Sequence, residues 1–509
     1  MTSASPAQDT NAPRPGPEHA TDQPGRVEVH GIDFIPEAER HGRARELFAV
    51  WTASNVSYLY IAVGGALTLM GLGVWQAMAV VLAGNLFWVL VGLLAVSGPA
   101  SGTPSSIVMR AMFGIRGNRA NAAIIGWGIA VAYEAINLSV GVLAGFALVD
   151  DLGGHVNTVV KLAIVLVTAV VTLTISVYGH ATIVRLSTGF TIVLGVCVAI
   201  LAVFVVAHAN PHYVPPGAPH GAALWAAALA GLTIIASGPL SWGVGADYAR
   251  YLPATTNPRA VAGWTALGGF LPSVLLSAIG VLAGTAVDMT DPQTSLKAIL
   301  PGWFYPLFLL AIVVGSITNN VLTAYSSGLG LQAVGIPWKR SATVFFDGIT
   351  AVALTLYALF ISNFLDTLNN ILTLSVALLG PSVALYATDI LLRRNQYNGL
   401  DLHDERPGSP YWYAHGINWA GATAQLLGTA AALLCVDTPV LVGPVATALD
   451  GADLSSLVGP IAAAAVYTAA TLAMRRRTPP AIERGAVGAA HPVPPAAAPS
   501  HGPQATQAD

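Results

Sequence analysis

The chain has 509 residues, of which 54% are apolar and 9% charged, with a formal net charge of −3 and a mean hydropathy of +0.64. Soluble domains carry about a quarter charged residues, so the composition excludes a soluble globular protein and places the chain in a bilayer. The apolar runs are long and continuous, which excludes a transmembrane barrel built from short alternating segments, and no nucleic-acid partner is expected.

In chain order, residues 1–30 are rich in Pro, Ala, Gly, Ser, Thr and Gln and read as a disordered cytoplasmic tail. No apolar h-region of a secretory signal is found there. Twelve spans follow in a transporter domain over 31–475, at approximately 47–70, 75–97, 120–149, 157–178, 183–207, 222–246, 260–287, 304–334, 341–361, 365–392, 415–436 and 453–474. Each meets the requirement of about 20 apolar residues per crossing helix. A second disordered cytoplasmic tail covers 476–509.

Charge orients the bundle. Lys and Arg near span ends fall on alternate loops, from Arg43 and Arg45 through Arg110, Arg116, Arg119, Arg185, Arg250, Arg259, Lys339 and Arg340 to Arg393, Arg394, Arg406 and Arg475–Arg477. Only Lys161 and Lys297 lie on the opposite side, whose loops carry Asp150, Asp151, Asp288, Asp291, Asp437 and Asp450. The positive-inside rule then puts both termini in the cytoplasm, with the chain a multi-pass protein of the cell membrane.

Two spans are interrupted. The first reads "FAVWTASNVSYLYIAVGGALTLMGLG", with Ser54, Asn55, Ser57, Gly64 and Gly65 at membrane depth. The sixth reads "LAGLTIIASGPLSWGVGADYARYLP", and Pro239, which has no N–H to donate, should kink or break it. Irregular backbone inside a membrane is tolerated where it is buried or lines a cavity, and in transporters the broken helices hold matching places in two inverted repeats. Spans one and six are five apart, which predicts an all-α, five-plus-five inverted-repeat fold followed by two further helices. A packing kink in each helix is the alternative reading. Cys197 and Cys435 sit inside predicted spans as free buried thiols. No phosphate loop, zinc spacing or nucleophile elbow is found, so neither an enzyme nor direct ATP use is expected, and no cofactor is expected either.

Several strings in this order resemble the nucleobase:cation symporter family, the purine and cytosine permeases. They are "GIDFIPEAERHGRARELFAVWTASN", "SGPASGTPSSIVMRAMFGIRG", "ADYARYLP", "GSITNNVLTAYSSGLGLQ", "ATDILLRRNQY" and "GINWAGATAQLLG", together covering roughly residues 30–475. The resemblance implies alternating access and import of a small heterocycle with a proton or a sodium ion.

The third span, "WGIAVAYEAINLSVGVLAGF", carries Glu134 between Tyr133 and Asn137 on one polar stripe. Family members place an aromatic residue four before an amide here, so the resemblance makes Tyr133 the stacking face and Asn137 the edge reader, with Trp127 as rival anchor. A carboxylate at bilayer centre costs at least about 2.5 kcal/mol even on insertion scales, which makes Glu134 a functional candidate, with a structural carboxylate as the alternative. The broken helices add Trp51, Ser54, Asn55, Ser237, Ser241 and Trp242, and the eighth span adds Thr318, Asn319, Asn320, Thr323 and Tyr325. Flat rings with alternating donors and acceptors need such aromatic faces and amides. Trp242 could equally serve as an interfacial belt residue. Thr323 stands where the family usually has Asn, which leaves the substrate open among purines, cytosine, hydantoin, allantoin and a vitamin such as pyridoxine or thiamine.

For the coupling ion, sodium sites of this fold resemble one another in pairing carbonyls of the broken first helix with two adjacent hydroxyls of the eighth. The matching pair here is Ile317-Thr318, with Ser316 one residue away. Ile317 cannot coordinate a hard cation. Glu134 offers a buried titratable group instead, so a proton is the expected coupling ion and sodium the alternative. A channel would need a continuous polar path, whereas this stripe is confined to mid-membrane.

Overall fold

The computed structural model describes residues 23–361 and 364–477, and the greater part of both predicted tails lies outside them. Every regular element named among the described residues is a helix. Ten helices are long and apolar enough to cross a membrane, and Glu46–Asn55 with Tyr58–Leu69 forms a bent pair that counts as an eleventh. The shorter apolar helix Trp419–Cys435 falls where the eleventh predicted span lies, so the set is compatible with twelve crossings. Trp75, Trp225, Trp303 and Trp419 are exposed, each close to a helix end, as aromatic residues are at membrane interfaces. The described residues up to Thr468 form one compact unit, and those from Ala469 are the end of the helix Ser455–Arg477.

The first interruption is sharp, with a bend of 57° between its two helices. Its cause is local. Ser57 is extended at φ −119° and its hydroxyl accepts from the Leu59 N–H, so a new helix is capped inside the membrane. Asn55 donates back to the Trp51 carbonyl at 2.8 Å and accepts from the Tyr60 hydroxyl at 2.7 Å, which ties the two halves together. Gly64 then lies against the Ser277 backbone of the helix Pro258–Ala283, where a side chain would collide.

The sixth helix does not break at Pro239. It runs Ala222–Leu240 through the proline, unwinds over residues 241–244, and resumes at Gly245–Ala249. The loosened turn is held by Ser237 and Ser241, whose hydroxyls each donate at 2.6 Å to carbonyls three residues back, at Ile234 and Gly238.

The helix Tyr305–Ala333 is the central post, packing on Glu46–Asn55, Ala130–Asp151, Thr158–Tyr178, His180–His208 and Arg340–Phe360. It packs tightly on the third span at Gly330, where a methyl group would stand 2.5 Å from the Gly126 carbonyl oxygen. Gly330→Ala should therefore force these helices apart at an overpacking cost of about 1–3 kcal/mol. The expected readout is a lower thermal midpoint in detergent, followed by size exclusion; an unchanged midpoint would show that the contact yields freely.

The folded part begins before residue 31. Glu28 is buried, and its carboxylate takes donors from Arg250, Tyr251, Tyr325 and the His180 N–H at 2.7–3.0 Å. Residues 23–30 of the predicted tail thus include a structural segment.

Candidate functional site

A cavity of about 100 Å³ lies where the interrupted first and sixth spans meet the third, eighth and tenth. From the third come Tyr133 and Asn137, from the unwound sixth Ser237, Ser241 and Trp242, and from the eighth Asn319 and Thr323. These seven were all expected from the sequence. The lining is mainly apolar with few polar groups, the usual make-up of a small-molecule site.

The polar groups are ordered by a chain of amides. Asn319 donates its side-chain N–H to the Ser54 carbonyl at 2.9 Å, at the end of the first half-helix, and its oxygen accepts from the Asn137 amide at 2.8 Å. With both amides so fixed, Asn137 keeps its side-chain oxygen as an acceptor beside the cavity. Tyr133 is held by a 2.8 Å bond between its hydroxyl and Ser375. Tyr133→Ala should cost about 1 kcal/mol in stacking beyond the lost area, whereas Tyr133→Phe keeps the ring and loses only the Ser375 bond. Ligand titration of the two variants checks this: equal losses would assign the effect to the hydroxyl rather than to the face.

The other expected residues lie outside the cavity lining, each for a visible reason. Trp51 is fully buried at the hub of an aromatic cluster, edge-on to Trp88, Trp242 and Tyr248 at 5.3–5.6 Å between ring centroids. Ser54 and Asn55 spend their side chains on the Trp51 carbonyl and so stabilise the break itself. Asn320 turns to the third helix, donating to the Glu134 carbonyl at 3.1 Å. Trp127 is turned away, stacking on Phe346 and donating to Asp347 at 2.9 Å, so of the two candidate aromatics Tyr133 is the one beside the cavity. Tyr325 joins the Glu28 cluster. Glu134 is 1% exposed, outside the cavity lining, with Asp347 as its neighbour.

Thr318 lies beside the first break, its hydroxyl bonding the Ala53 carbonyl at 3.0 Å and the Gly315 carbonyl of its own helix at 2.9 Å. Ser316, the candidate second hydroxyl, instead donates to the Asn137 carbonyl on the third helix. The two hydroxyls therefore diverge, one toward the third helix and the other toward the first.

Two buried acids escaped the sequence reading, one in the cavity lining and one outside it. Asp247 lines the cavity, its carboxylate accepting from the Ser105 N–H at 2.7 Å while Ser105 Oγ accepts from Ala246 N at 3.1 Å. This reciprocal bond joins the segment after the second span to the resumed sixth helix. Asp347 is the second, an acid in the middle of the span Arg340–Phe360. The same reasoning that singled out Glu134 applies to "FFDGITAVAL".

Comparison with known proteins agrees with this architecture. A family model described as permease for cytosine/purines, uracil, thiamine, allantoin matches residues 34–459. The Bacillus subtilis (strain 168) protein YxlA, whose name places it with the purine-cytosine permeases, is 25% identical over 451 residues, covering 85% of this chain and 93% of its own. An allantoin permease of the same organism is 25% identical over 451 residues, covering 80% and 88%. Among solved structures, Mhp1, a nucleobase-cation-symport-1 family transporter in a closed conformation with bromovinylhydantoin bound, superposes with a TM-score of 0.70 at 17% identity, covering 88% of this chain and 96% of that one.

Proposed function

This chain belongs to the family of permeases for cytosine/purines, uracil, thiamine and allantoin, and from that premise we propose that it imports a nucleobase, a purine or cytosine, together with a proton. As a permease of this family with the Mhp1-type transporter fold, it is a multi-pass membrane transporter. The reading places it in the cell membrane with both termini cytoplasmic, following the distribution of Arg and Lys.

The observation that carries the substrate class is the Tyr133 face beside the Asn137–Asn319 amide chain, where the two half-helices of the first span meet the unwound sixth. A flat heteroaromatic ring stacks on Tyr133 or Trp242 and meets the Asn137 oxygen at its edge. Ser237, Ser241 and Thr323 supply hydroxyls that can donate or accept, so the site tolerates more than one pattern of ring substituents. The breaks in the first and sixth spans leave these backbones free to re-pack around a bound ring, which is how alternating access is driven by ligand.

What supports proton coupling is a difference between two places. Around Thr318 the hydroxyls diverge and Ile317 offers no oxygen, whereas a hard cation needs several oxygens at once. Outside the cavity lining, Glu134 is a buried carboxyl on the same helix as the substrate residues. In liposomes, uptake should rise with an inward proton gradient and ignore sodium, and Glu134→Gln should remove the dependence on pH. A panel of cytosine, adenine, guanine, hypoxanthine and allantoin competing for uptake identifies the ring. Acceleration by sodium alone overturns the coupling assignment, and absence of saturable nucleobase uptake overturns the substrate class.

A further inference from the structure

Glu134 is not alone in the membrane interior. Asp347 is fully buried on the helix Arg340–Phe360, which packs on the helix Ala130–Asp151 that carries Glu134, and the two carboxyl groups act on each other. Their fixed partners are unequal. Asp347 Oδ1 accepts from Trp127 Nε1 at 2.9 Å and from the Ser327 hydroxyl at 2.7 Å. Asp347 Oδ2 and Glu134 Oε1, both screened from solvent, have no hydrogen-bond partner.

Two ionised carboxylates in contact repel, and away from water the repulsion is strong. Ser327 and Trp127 bond Asp347, and among the described residues no cation is paired with either carboxyl group. Titratable groups on the surrounding elements are engaged elsewhere. Tyr133 bonds Ser375, Tyr325 bonds Glu28, Arg340 donates to the Ser176 and Val177 carbonyls, Lys161 lies over the Phe146 ring, and Asp247 is held by Ser105. A proton between the two carboxyl groups removes the repulsion and supplies a hydrogen bond that the pair otherwise lacks.

We propose that Glu134 and Asp347 form a single proton-binding site, in which one proton bridges the two carboxyl groups while Trp127 and Ser327 hold Asp347 as the accepting partner. The assignment rests on the reading of proton-coupled import above and names its ion site. Loaded, the pair carries one negative charge; release breaks one O–H bond, passes the proton to water and leaves two. The doubly charged state is unfavourable while the two helices remain packed, so release requires that water reach the pair. Glu134 shares its helix turn with Tyr133 and Asn137, and Trp127 follows Gly126, which lines the cavity. Proton occupancy and substrate occupancy therefore act on the same stretch of backbone.

The test uses the full-length protein in liposomes with radiolabelled hypoxanthine and cytosine. One readout is exchange with equal substrate on both sides and no gradient; the other is accumulation under an inward gradient of about one pH unit, which is worth about tenfold per coupled proton. Asp347→Asn and Glu134→Gln are each expected to exchange substrate but lose the tenfold accumulation. Ser327→Ala, which removes one donor from Asp347 and neither carboxyl, should accumulate substrate with its pH midpoint moved upward, since the pair then holds its proton more tightly. Accumulation with a wild-type midpoint in Asp347→Asn overturns the site. Should that variant not fold, as judged by size exclusion, unchanged midpoints in both Ser327→Ala and Trp127→Phe overturn it. Drive by sodium alone in the wild type also overturns the site but leaves the transporter reading intact. Failure of the wild type to exchange either base removes the functional reading, and the proton site with it.

Discussion

Arg250→Ala should lower the stability of the folded transporter by about 3–5 kcal/mol, the range expected when one partner of a buried ion pair is removed and the other stays behind. Both side chains of the pair are 0–1% exposed at a separation of 2.9 Å, so neither can turn to water without unpacking the segment around it. Arg250 also donates to the Gly31 carbonyl and to the Tyr325 hydroxyl. After its loss Glu28 still has Tyr251, Tyr325 and the His180 N–H among its donors, and Arg340 lies 3.6 Å away. Five separate pieces of chain meet at this carboxylate: the N-terminal segment, the start of the helix His180–His208, the end of the sixth span, the eighth span and the start of the helix Arg340–Phe360. The penalty should therefore appear as a lower thermal midpoint and weaker retention of the N-terminal segment against protease. Glu28→Gln tests the same point from the other side. It retains hydrogen-bonding capacity while losing charge, so its cost should be smaller than that of Glu28→Ala. The double variant Arg250→Ala with Glu28→Ala should be less unstable than the sum of the singles. A midpoint for Arg250→Ala equal to wild type would mean that this cluster closes only in part of the transport cycle and is solvated in the rest.

The architecture was legible because a bilayer imposes a simple rule on sequence. Apolar length is a property of the chain itself, and the helices fall where that signal lies. The interruption at Ser54 to Ser57 was also readable, since short polar residues at membrane depth have to serve a break or a cavity. At Pro239 the same argument misplaced the event by a few residues. A proline removes a donor at its own position, but serine hydroxyls that bond back to the previous turn can carry the helix onward and let it loosen beyond.

Side-chain direction was the harder matter. Tyr133 and Trp127 are both aromatic residues on one apolar helix, and composition alone does not say which faces the cavity. The π-helical stretch Ala122–Ile129 changes the angular step between them, so a count at 100° per residue fails there. Trp51, Ser54 and Asn55 were identified as polar or aromatic groups at a break, which they are, but the break consumes them. Glu28 and Asp347 show the opposite omission. One was assigned to a tail by the composition around it, and the other was passed over although a charge inside a span is itself the signal.

Asn137→Ala should weaken binding of the transported ring by about tenfold or more, because an unpaired buried polar group costs about 1–3 kcal/mol. Two losses coincide in this variant. The ligand loses the acceptor that Asn137 presents beside the cavity, and Asn319 loses the donor that fixes its own side chain. Asn319 is in turn bonded to the Ser54 carbonyl at the first break, so its release also loosens the end of the half-helix Glu46–Asn55. Asn319→Ala should therefore reduce binding as well, through the freed Asn137 amide and the unpaired Ser54 carbonyl, although the ligand's own acceptor is still present. The double variant separates the two contributions. If the amides act as one chain, the losses will be far from additive, since removing either member already disorders the other. If Asn137 and Asn319 contact the ring independently, the losses will add. Calorimetric titration of the purified protein with the base selected by the competition panel measures all three variants, and wild-type affinity in both single variants would place the edge-reading group elsewhere in the cavity, with Ser241 and Asp247 the next polar side chains along its wall.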